Sequence, residues 1–529
     1  MAKYIIPSVS ISAFFSSYYN GLWPPREPPK IASLPEAIRF LNENRRSLDA
    51  INYILKADTE ESVRLLGQMS TRSIGALASH GWAGVHAVPI APFDAAAAAD
   101  AEDDDDVVFE RLLTRMDLGD DFRALVAWLG RVPCEEAEEY GGPRSGSHMD
   151  AWLGGPRPSQ TARLQQILQM LFLKTEAGTI PECSSVLRFL HGMFTQYYPD
   201  PETRSIALLA LKTLANIAAS NPEHAAAILK SEWLPLLADL AVNGKRLAER
   251  LLAHKIFRNA LYSLGMIDYV LRSDVYELHV PKEKPPLVDI ILIHGLRGSV
   301  AYTWRQRDYA TQLVTECWPK DWLPLDISDP IRIIGIDYPS YLLQFSGTME
   351  SLQVRADRFA RQLADAGVGS RPVLFICHSM GGLLAKKLCV DLPELAAQTV
   401  GILFIATPHK GSPIASRWGF DAFSVSEDVR FLRESNELNL KLDADFRECA
   451  VNWIPVLASI VETRESSFFG ATRALIVPSA SAVFGRGTVY HIEDVHHNVC
   501  KPSERTSPVY GVVLNFVRDS IEEARKRLT

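Results

Sequence analysis

One serine of this chain sits where a hydroxyl becomes reactive. Cys377-His378-Ser379-Met380-Gly381-Gly382 lies between an apolar, β-rich run at 373–376 and a Leu/Lys/Ala-rich helical run at 383–390. A strand that feeds a tight turn and then a helix lifts a serine oxygen above a sheet edge, the nucleophile elbow of general pattern G-x-S-x-G. Ser379 is the candidate nucleophile. Cys377 replaces the first glycine of the pattern, and its small side chain should add strain to the turn without forbidding it. The plain alternative is a buried strand running into a glycine-rich turn, so the assignment depends on what else the chain supplies.

A serine oxygen is a weak nucleophile until a base takes its proton and a third group orients that base. Candidates for both lie downstream, in the order serine, acid, histidine that α/β-hydrolases use. His496 and His497 follow the last expected strand, in Asp494-Val495-His496-His497-Asn498-Val499-Cys500-Lys501-Pro502. Neighbouring loop residues point in different directions, so only one can face Ser379; His496 is the first choice and His497 the alternative. Glu462, at the end of an expected strand 454–461, is the candidate acid, with Glu493 and Asp494 as rivals in the histidine loop. Upstream, an expected strand 288–293 runs into His294-Gly295-Leu296-Arg297-Gly298. The backbone amides of Leu296 and Met380 would converge there on a developing oxyanion. His294 and His378 read as packed turn residues. No His, Cys or Asp grouping has zinc spacing, so neither a metal nor a cofactor is expected.

The elements that must hold these residues alternate. Strands are expected at 288–293, 331–337, 373–376, 400–406, 454–461 and 474–477, with helices at 351–366 and 508–527, which argues for βαβ crossovers and a parallel sheet. From 159 to 271 the pattern is helical, and 205–219 is apolar on most faces, as in a buried helix. Leu214 and Ile217 recur as Leu261 and Leu264, 47 residues on, which points to two or three armadillo/HEAT-like repeats, with a plain helical bundle as the alternative. The expected fold class is α/β, an α/β-hydrolase domain at the C-terminus preceded by an all-α armadillo/HEAT-like region. The boundaries are 1–106 for a partly disordered N-terminal extension ending in the acidic low-complexity run 94–106, 107–280 for the helical region, and 287–529 for the hydrolase domain. The Pro/Lys linker 281–286 joins the last two.

A formal net charge of −8 over 529 residues offers no basic stripe for nucleic acid. Seven widely spaced cysteines fit reduced thiols inside a cell better than a disulfide framework. The uncharged stretches 4–25 and 75–93 are interrupted by polar residues, Gly or Pro, so neither reads as a membrane span.

Through IHGLRGS, CHSMGGLL, ATPHKGS and HNVCKP, residues 288–516 resemble the serine-active-site-containing α/β-hydrolase family, lipase-like proteins with an armadillo-like region ahead of the hydrolase domain. The resemblance implies a base followed after one residue by Asn or Thr and then by a Cys-Lys-like ending, which falls on His496 with Asn498, Cys500 and Lys501. It implies an acid followed by Thr, which falls on Glu462-Thr463. Cys377 and Val495 depart from the family's Gly and Asp. The resemblance further implies phospholipid remodelling, of phosphatidylglycerol in particular, at contacts between mitochondria and endoplasmic reticulum; a cytoplasmic location is the alternative. An insertion between Gly411 and Cys449 carries Trp418, Phe420, Phe423, Phe431 and Leu432. It is long enough for a lid over an acyl chain, and a helical cap with an ordinary core face is the compatible plainer reading. The expected activity is that of a serine esterase/lipase-type acyl hydrolase or transacylase acting on a lipid ester. Association with a membrane surface and a protein partner on the helical repeats are further expectations. The alternative is a catalytically weak hydrolase-fold scaffold that acts through those repeats.

Overall fold

The computed structural model describes residues 160–178, 180, 183–307, 314–340, 350–417, 427–468 and 472–528. The extension 1–106, residues 107–159 of the helical region, and Trp418, Phe420 and Phe423 lie outside them. The strands among the described residues are β1 (Val275–His279), β2 (Val288–Ile293), β3 (Ile331–Ile336), β4 (Val373–His378), β5 (Thr399–Ile405), β6 (Val456–Glu462), β7 (Ser466–Phe468), β8 (Thr472–Ala474) and β9 (Thr488–Ile492). Seven of them form one sheet in the order β1-β3-β2-β4-β5-β6-β9. β2 to β6 and β9 run parallel, and β1 pairs antiparallel with β3 at the edge. Strands β2, β3, β4 and β5 are buried along their whole length, which is why they read as continuous apolar runs rather than alternating ones.

Among the described residues six helices precede the sheet: α1 (Gln160–Glu176), α2 (Cys183–Tyr197), α3 (Arg204–Ala218), α4 (Pro222–Leu229), α5 (Trp233–Asn243) and α6 (Leu247–Ser263). The longer helices after it begins are α7 (Leu352–Asp365), α8 (Met380–Asp391), α9 (Glu437–Trp453) and α10 (Pro508–Leu528). Side chains alternate across each strand. Ile290, Leu292, Leu374, Ile376, Leu403 and Ile405 join one buried cluster with α1 to α6 and α10. Ile291, Ile293, Phe375, Cys377, Ile402 and Phe404 join the other, with α7, α8 and α9. The sheet is therefore the middle layer: α10 lies over β5, β6 and β9, and the helical region joins the same cluster through α6, which packs against the edge strand β1. Of the residues of the expected repeat, Leu214 and Ile217 of α3 and Leu261 of α6 lie in the first cluster, and Leu264, just past α6, is partly buried against it.

Two elements differ from expectation. Residues 474–477 do not form a sheet strand: β8 stops at Ala474 and pairs only with β7, because Pro478 follows and the Val477 amide is taken by a side chain. The last strand of the sheet is instead β9, paired with β6. At the other edge, β1 precedes the linker 281–286, so the segment read as helical contributes a strand to the sheet.

The insertion after β5 is a helical cap with a core face. Val429, Leu432, Leu442 and Phe446 are buried in the cluster beneath it. Two buried ion pairs fasten it: Arg355 of α7 holds Asp428 with Nη1 2.9 Å from Oδ1, and Lys386 of α8 lies 2.5 Å from Asp443 of α9.

The continuity of the first cluster sets the cost of dividing the chain. A fragment starting at Leu287 loses β1, its pairing with β3 and the buried Val275, Tyr276 and Leu278; buried apolar side chains contribute roughly 1.5–3 kcal/mol each, and each kcal/mol shifts Tm by about 2–4 °C at this size. It should melt more than about 10 °C below a fragment starting at Gln160 in a thermal scan. Equal melting temperatures would show that the helical layer contributes nothing to the sheet.

Candidate active site

All candidate residues come to the carboxyl edge of the sheet, because parallel strands end on the same side. β4 delivers Ser379 between the ends of β2 and β5. Ser379 has φ 54° and ψ −125°, a conformation that costs a non-glycine residue roughly 1–3 kcal/mol. The turn is held from three sides. The Ser379 amide donates to the Ile405 carbonyl at 2.8 Å, and the Gly382 amide donates to the Ser379 carbonyl at 3.1 Å. A Cβ at Gly381 would lie 2.3 Å from the Ile293 carbonyl oxygen, so α8 begins against the end of β2 only because that residue has no side chain. Cys377 does not lie in the strained part. It is a strand residue opposite Ile293 and Phe404, fully buried, and burial drives its thiol well above the ordinary range. The strain expected of it is absent, because the left-handed backbone starts two residues later.

Glu462 ends β6, and its position is determined at both oxygens. Oε1 accepts from the Val477 amide at 2.9 Å, and Oε2 lies 2.5 Å from His496 Nδ1. A carboxylate accepts, so Nδ1 carries the proton and Nε2 is left bare. That Nε2 lies 3.0 Å from Ser379 Oγ. Ser379, His496 and Glu462 thus form one hydrogen-bonded chain, buried to 6%, 7% and 1% residual exposure. Seclusion from water strengthens its electrostatics.

The rivals stand elsewhere. His497 is exposed, and Asp494 accepts from the amide of Val495 at 2.7 Å as a local turn group; Glu493 is exposed as well. The rest of HNVCKP anchors the base loop. The Trp318 indole donates to the Cys500 carbonyl at 3.1 Å, Gln306 Nε2 donates to the Lys501 carbonyl at 2.6 Å, and the Cys500 thiol donates to the Thr303 carbonyl at 3.3 Å. His409, from ATPHKGS, takes no part; it is buried edge-on against Phe404, with ring centres 4.8 Å apart.

The loop after β2 lies against the serine. A Cβ on Gly295 would sit 2.6 Å from Ser379 Cβ, and Arg297 turns the chain back with φ 56°. His294 Nδ1 lies 2.9 Å from the Gly295 carbonyl and Ser340 Oγ donates to the same oxygen at 3.3 Å. His294 Nε2 accepts from the Tyr338 amide at 3.2 Å, which leaves Nδ1 as the donor. A trans peptide sends its N–H opposite to its C=O, so pinning the Gly295 carbonyl also aims the Leu296 amide. Among the described residues that amide donates to no backbone carbonyl. The Met380 amide heads α8, where first-turn amides have no intrahelical partner. The roles of His294, Ser340 and Val477 rest on contacts between distant segments, for which the sequence carries no local signal. Among the described residues no cluster of three or more His, Cys, Asp or Glu could hold a metal.

Residues 290–498 match the Alpha/beta hydrolase family model, and the C-terminal part of the chain is an α/β-hydrolase domain with a mixed sheet. Curated relatives extend the match. Protein SERAC1 of Bos taurus is 31% identical over 401 residues, 69% of this chain and 59% of that protein. Protein SERAC1 of Homo sapiens is 29% identical over 401 residues, again 69% of this chain and 59% of that protein. The Danio rerio protein of the same name is 30% identical over 346 residues, 59% of this chain and 50% of that protein. The chain spans between half and three-fifths of the length of these relatives. Among solved structures, the mature lipase BlEst2 of Bacillus licheniformis is 18% identical with a TM-score of 0.31, covering 45% of this chain and 94% of that one. Phospholipase PlaB of Legionella pneumophila is 15% identical with a TM-score of 0.32, covering 46% of this chain and 62% of that one.

Since Cys377 fills a core position, Cys377→Gly should lower stability by about 1–2 kcal/mol through lost burial and added backbone entropy. Chemical denaturation reads this directly. A more stable glycine variant would mean that the cysteine does strain the elbow.

Proposed function

We propose that the chain is a serine acyl hydrolase or transacylase acting on a lipid ester. The observation that carries this reading is the hydrogen-bonded chain from Ser379 Oγ through His496 to Glu462. His496 Nε2 takes the Ser379 proton as Oγ bonds to the ester carbonyl carbon, and Glu462 stabilises the imidazolium that forms. The amides of Leu296 and Met380 receive the oxyanion. As the tetrahedral intermediate collapses, the proton on His496 passes to the departing alcohol oxygen and the acyl group stays on Ser379. Water or an acceptor alcohol then gives its proton to His496 and attacks the acyl carbon, and as the bond from the acyl carbon to Ser379 Oγ breaks, His496 returns that proton to Oγ and a fatty acid or a new ester leaves.

The lipid class is drawn from the sequence resemblance, which points to phospholipid remodelling and phosphatidylglycerol in particular. Of the cap residues assigned to an acyl chain, Phe431 and Leu432 are described; Leu432 is buried in the core beneath the cap and Phe431 is half-buried beside it, which leaves Phe431 as the acyl-facing candidate. Placement at a mitochondrial or endoplasmic-reticulum surface, and a protein partner on α1 to α6, belong to the same proposal.

Turnover of a phosphatidylglycerol vesicle and of a soluble short-chain ester by the full chain tests both levels. Ser379→Ala and His496→Ala should each lower ester turnover by on the order of 10⁴-fold, Glu462→Gln strongly as well, and His497→Ala and Asp494→Asn within about twofold. Unchanged turnover in Ser379→Ala would end the enzymatic reading in favour of a scaffold. Ester turnover without any action on phosphatidylglycerol would end only the lipid assignment.

A further inference from the structure

His378 precedes the serine, and the mechanism above leaves it unused. Alternation along β4 sends Cys377 into the layer under α8 and His378 to the opposite side, toward the base loop. There its Nε2 lies 2.9 Å from the backbone carbonyl of His496, and the two rings sit 5.0 Å apart at 44°. A carbonyl can only accept, so His378 carries its proton on Nε2. Its other face abuts the oxyanion loop: a Cβ on Gly295 would lie 3.2 Å from His378 Nδ1.

We propose that His378 is a positioning residue, whose Nε2–H holds the His496 carbonyl and so sets the reach of the His496 imidazole to Ser379. This rests on the reading of Ser379 as a nucleophile. The base is attached to the sheet through two contacts of different kinds: Glu462 fixes the rotation of its ring, and His378 fixes the height of its backbone. The second contact originates one residue from the nucleophile, so Ser379 and the loop carrying its base share a common anchor in β4. Burial, with the charge of a protonated His496 next in weight and Lys501 and His294 adding to it, pushes His378 well below the ordinary histidine range. The ring therefore stays neutral and keeps its donor while His496 gains and loses a proton. Without that donor the His496 carbonyl would be a buried acceptor short of a partner, at a cost of roughly 1–3 kcal/mol, and the loop would relax away from a contact that is already 3.0 Å long. A displacement on the 1 Å scale lowers a positioned reaction by about 10²-fold.

The test compares His378→Phe, which keeps a ring and removes the donor, with His378→Gln, which keeps an N–H at similar reach. Both are made in the full chain and assayed on a soluble short-chain ester. His378→Phe should lower kcat by about 10–100-fold with KM within twofold, and His378→Gln should recover most of the loss. Wild-type kcat in the Phe variant, or a Gln variant no better than the Phe variant, would overturn the proposal. Should the Phe variant fail to fold, nitrogen-15 NMR of the histidine rings in the unsubstituted protein decides the matter. The resonance removed by His378→Gln should belong to a neutral ring protonated at Nε2 from pH 5 to 8; a ring that titrates in that range, or carries its proton on Nδ1, overturns the proposal. Failure of the underlying enzymatic reading looks different: wild-type protein would turn over no ester, or Ser379→Ala would turn it over normally.

Discussion

The left-handed turn at Ser379 is the constraint on which the site depends. A β-strand that ended normally would leave the hydroxyl in the plane of the sheet, and a helix that started normally would bury it. The chain takes neither course, because β4 lies between β2 and β5 and its next residues are closed in by both neighbours. Ile405 accepts the Ser379 amide, and the end of β2 comes so close that only glycine fits at 381. The energy of one strained residue is offset by packing that many buried ones supply. That packing explains why the strands here are long apolar runs and why a cysteine can occupy a position usually given to glycine.

The same geometry distributes the partners. Each arrives from a different parallel strand: the Gly295–Leu296 loop from β2, Ser379 from β4, Glu462 from β6 and His496 from the loop after β9. None of these side chains relies on a free loop for its placement. Glu462 is fixed by the Val477 amide, His294 and Ser340 pin one peptide of the oxyanion loop, and the base loop is fastened to Trp318 and Gln306. The helical region is joined to this sheet at its edge, where α6 packs against β1 and shares its apolar cluster.

Much of this was legible in the sequence. Period and composition located the central strands, the helix after Ser379 and the terminal helix, because buried parallel strands and amphipathic helices write themselves locally. Order along the chain pointed to Ser379, Glu462 and the pair His496/His497, the resemblance singled out His496, and the structure brings the side chains of Ser379, His496 and Glu462 into contact. What was not legible depends on contacts between remote segments. β1 is short and separated from its partner β3 by the linker and β2, and β9 is half-exposed along its length and follows Gly485-Arg486-Gly487, so it does not stand out. The strand expected at 474–477 looked apolar enough, but its Val477 amide serves a carboxylate that arrives 15 residues earlier in the chain. The elbow pattern implies strain at Cys377, whereas the positive φ falls on Ser379, two residues later, a difference that residue types alone do not encode. His378 looked like filler because a hydrogen bond to a carbonyl 118 positions away has no sequence signature.

The central claim is that the contact with His496 makes one hydroxyl among many nucleophilic. Treating the full-length protein with a fluorophosphonate ester and mapping the adduct by peptide mass spectrometry tests it most directly, since phosphonylation requires an activated serine. The account predicts a single stoichiometric adduct on Ser379. Absence of any adduct, or its appearance on another residue, would contradict it.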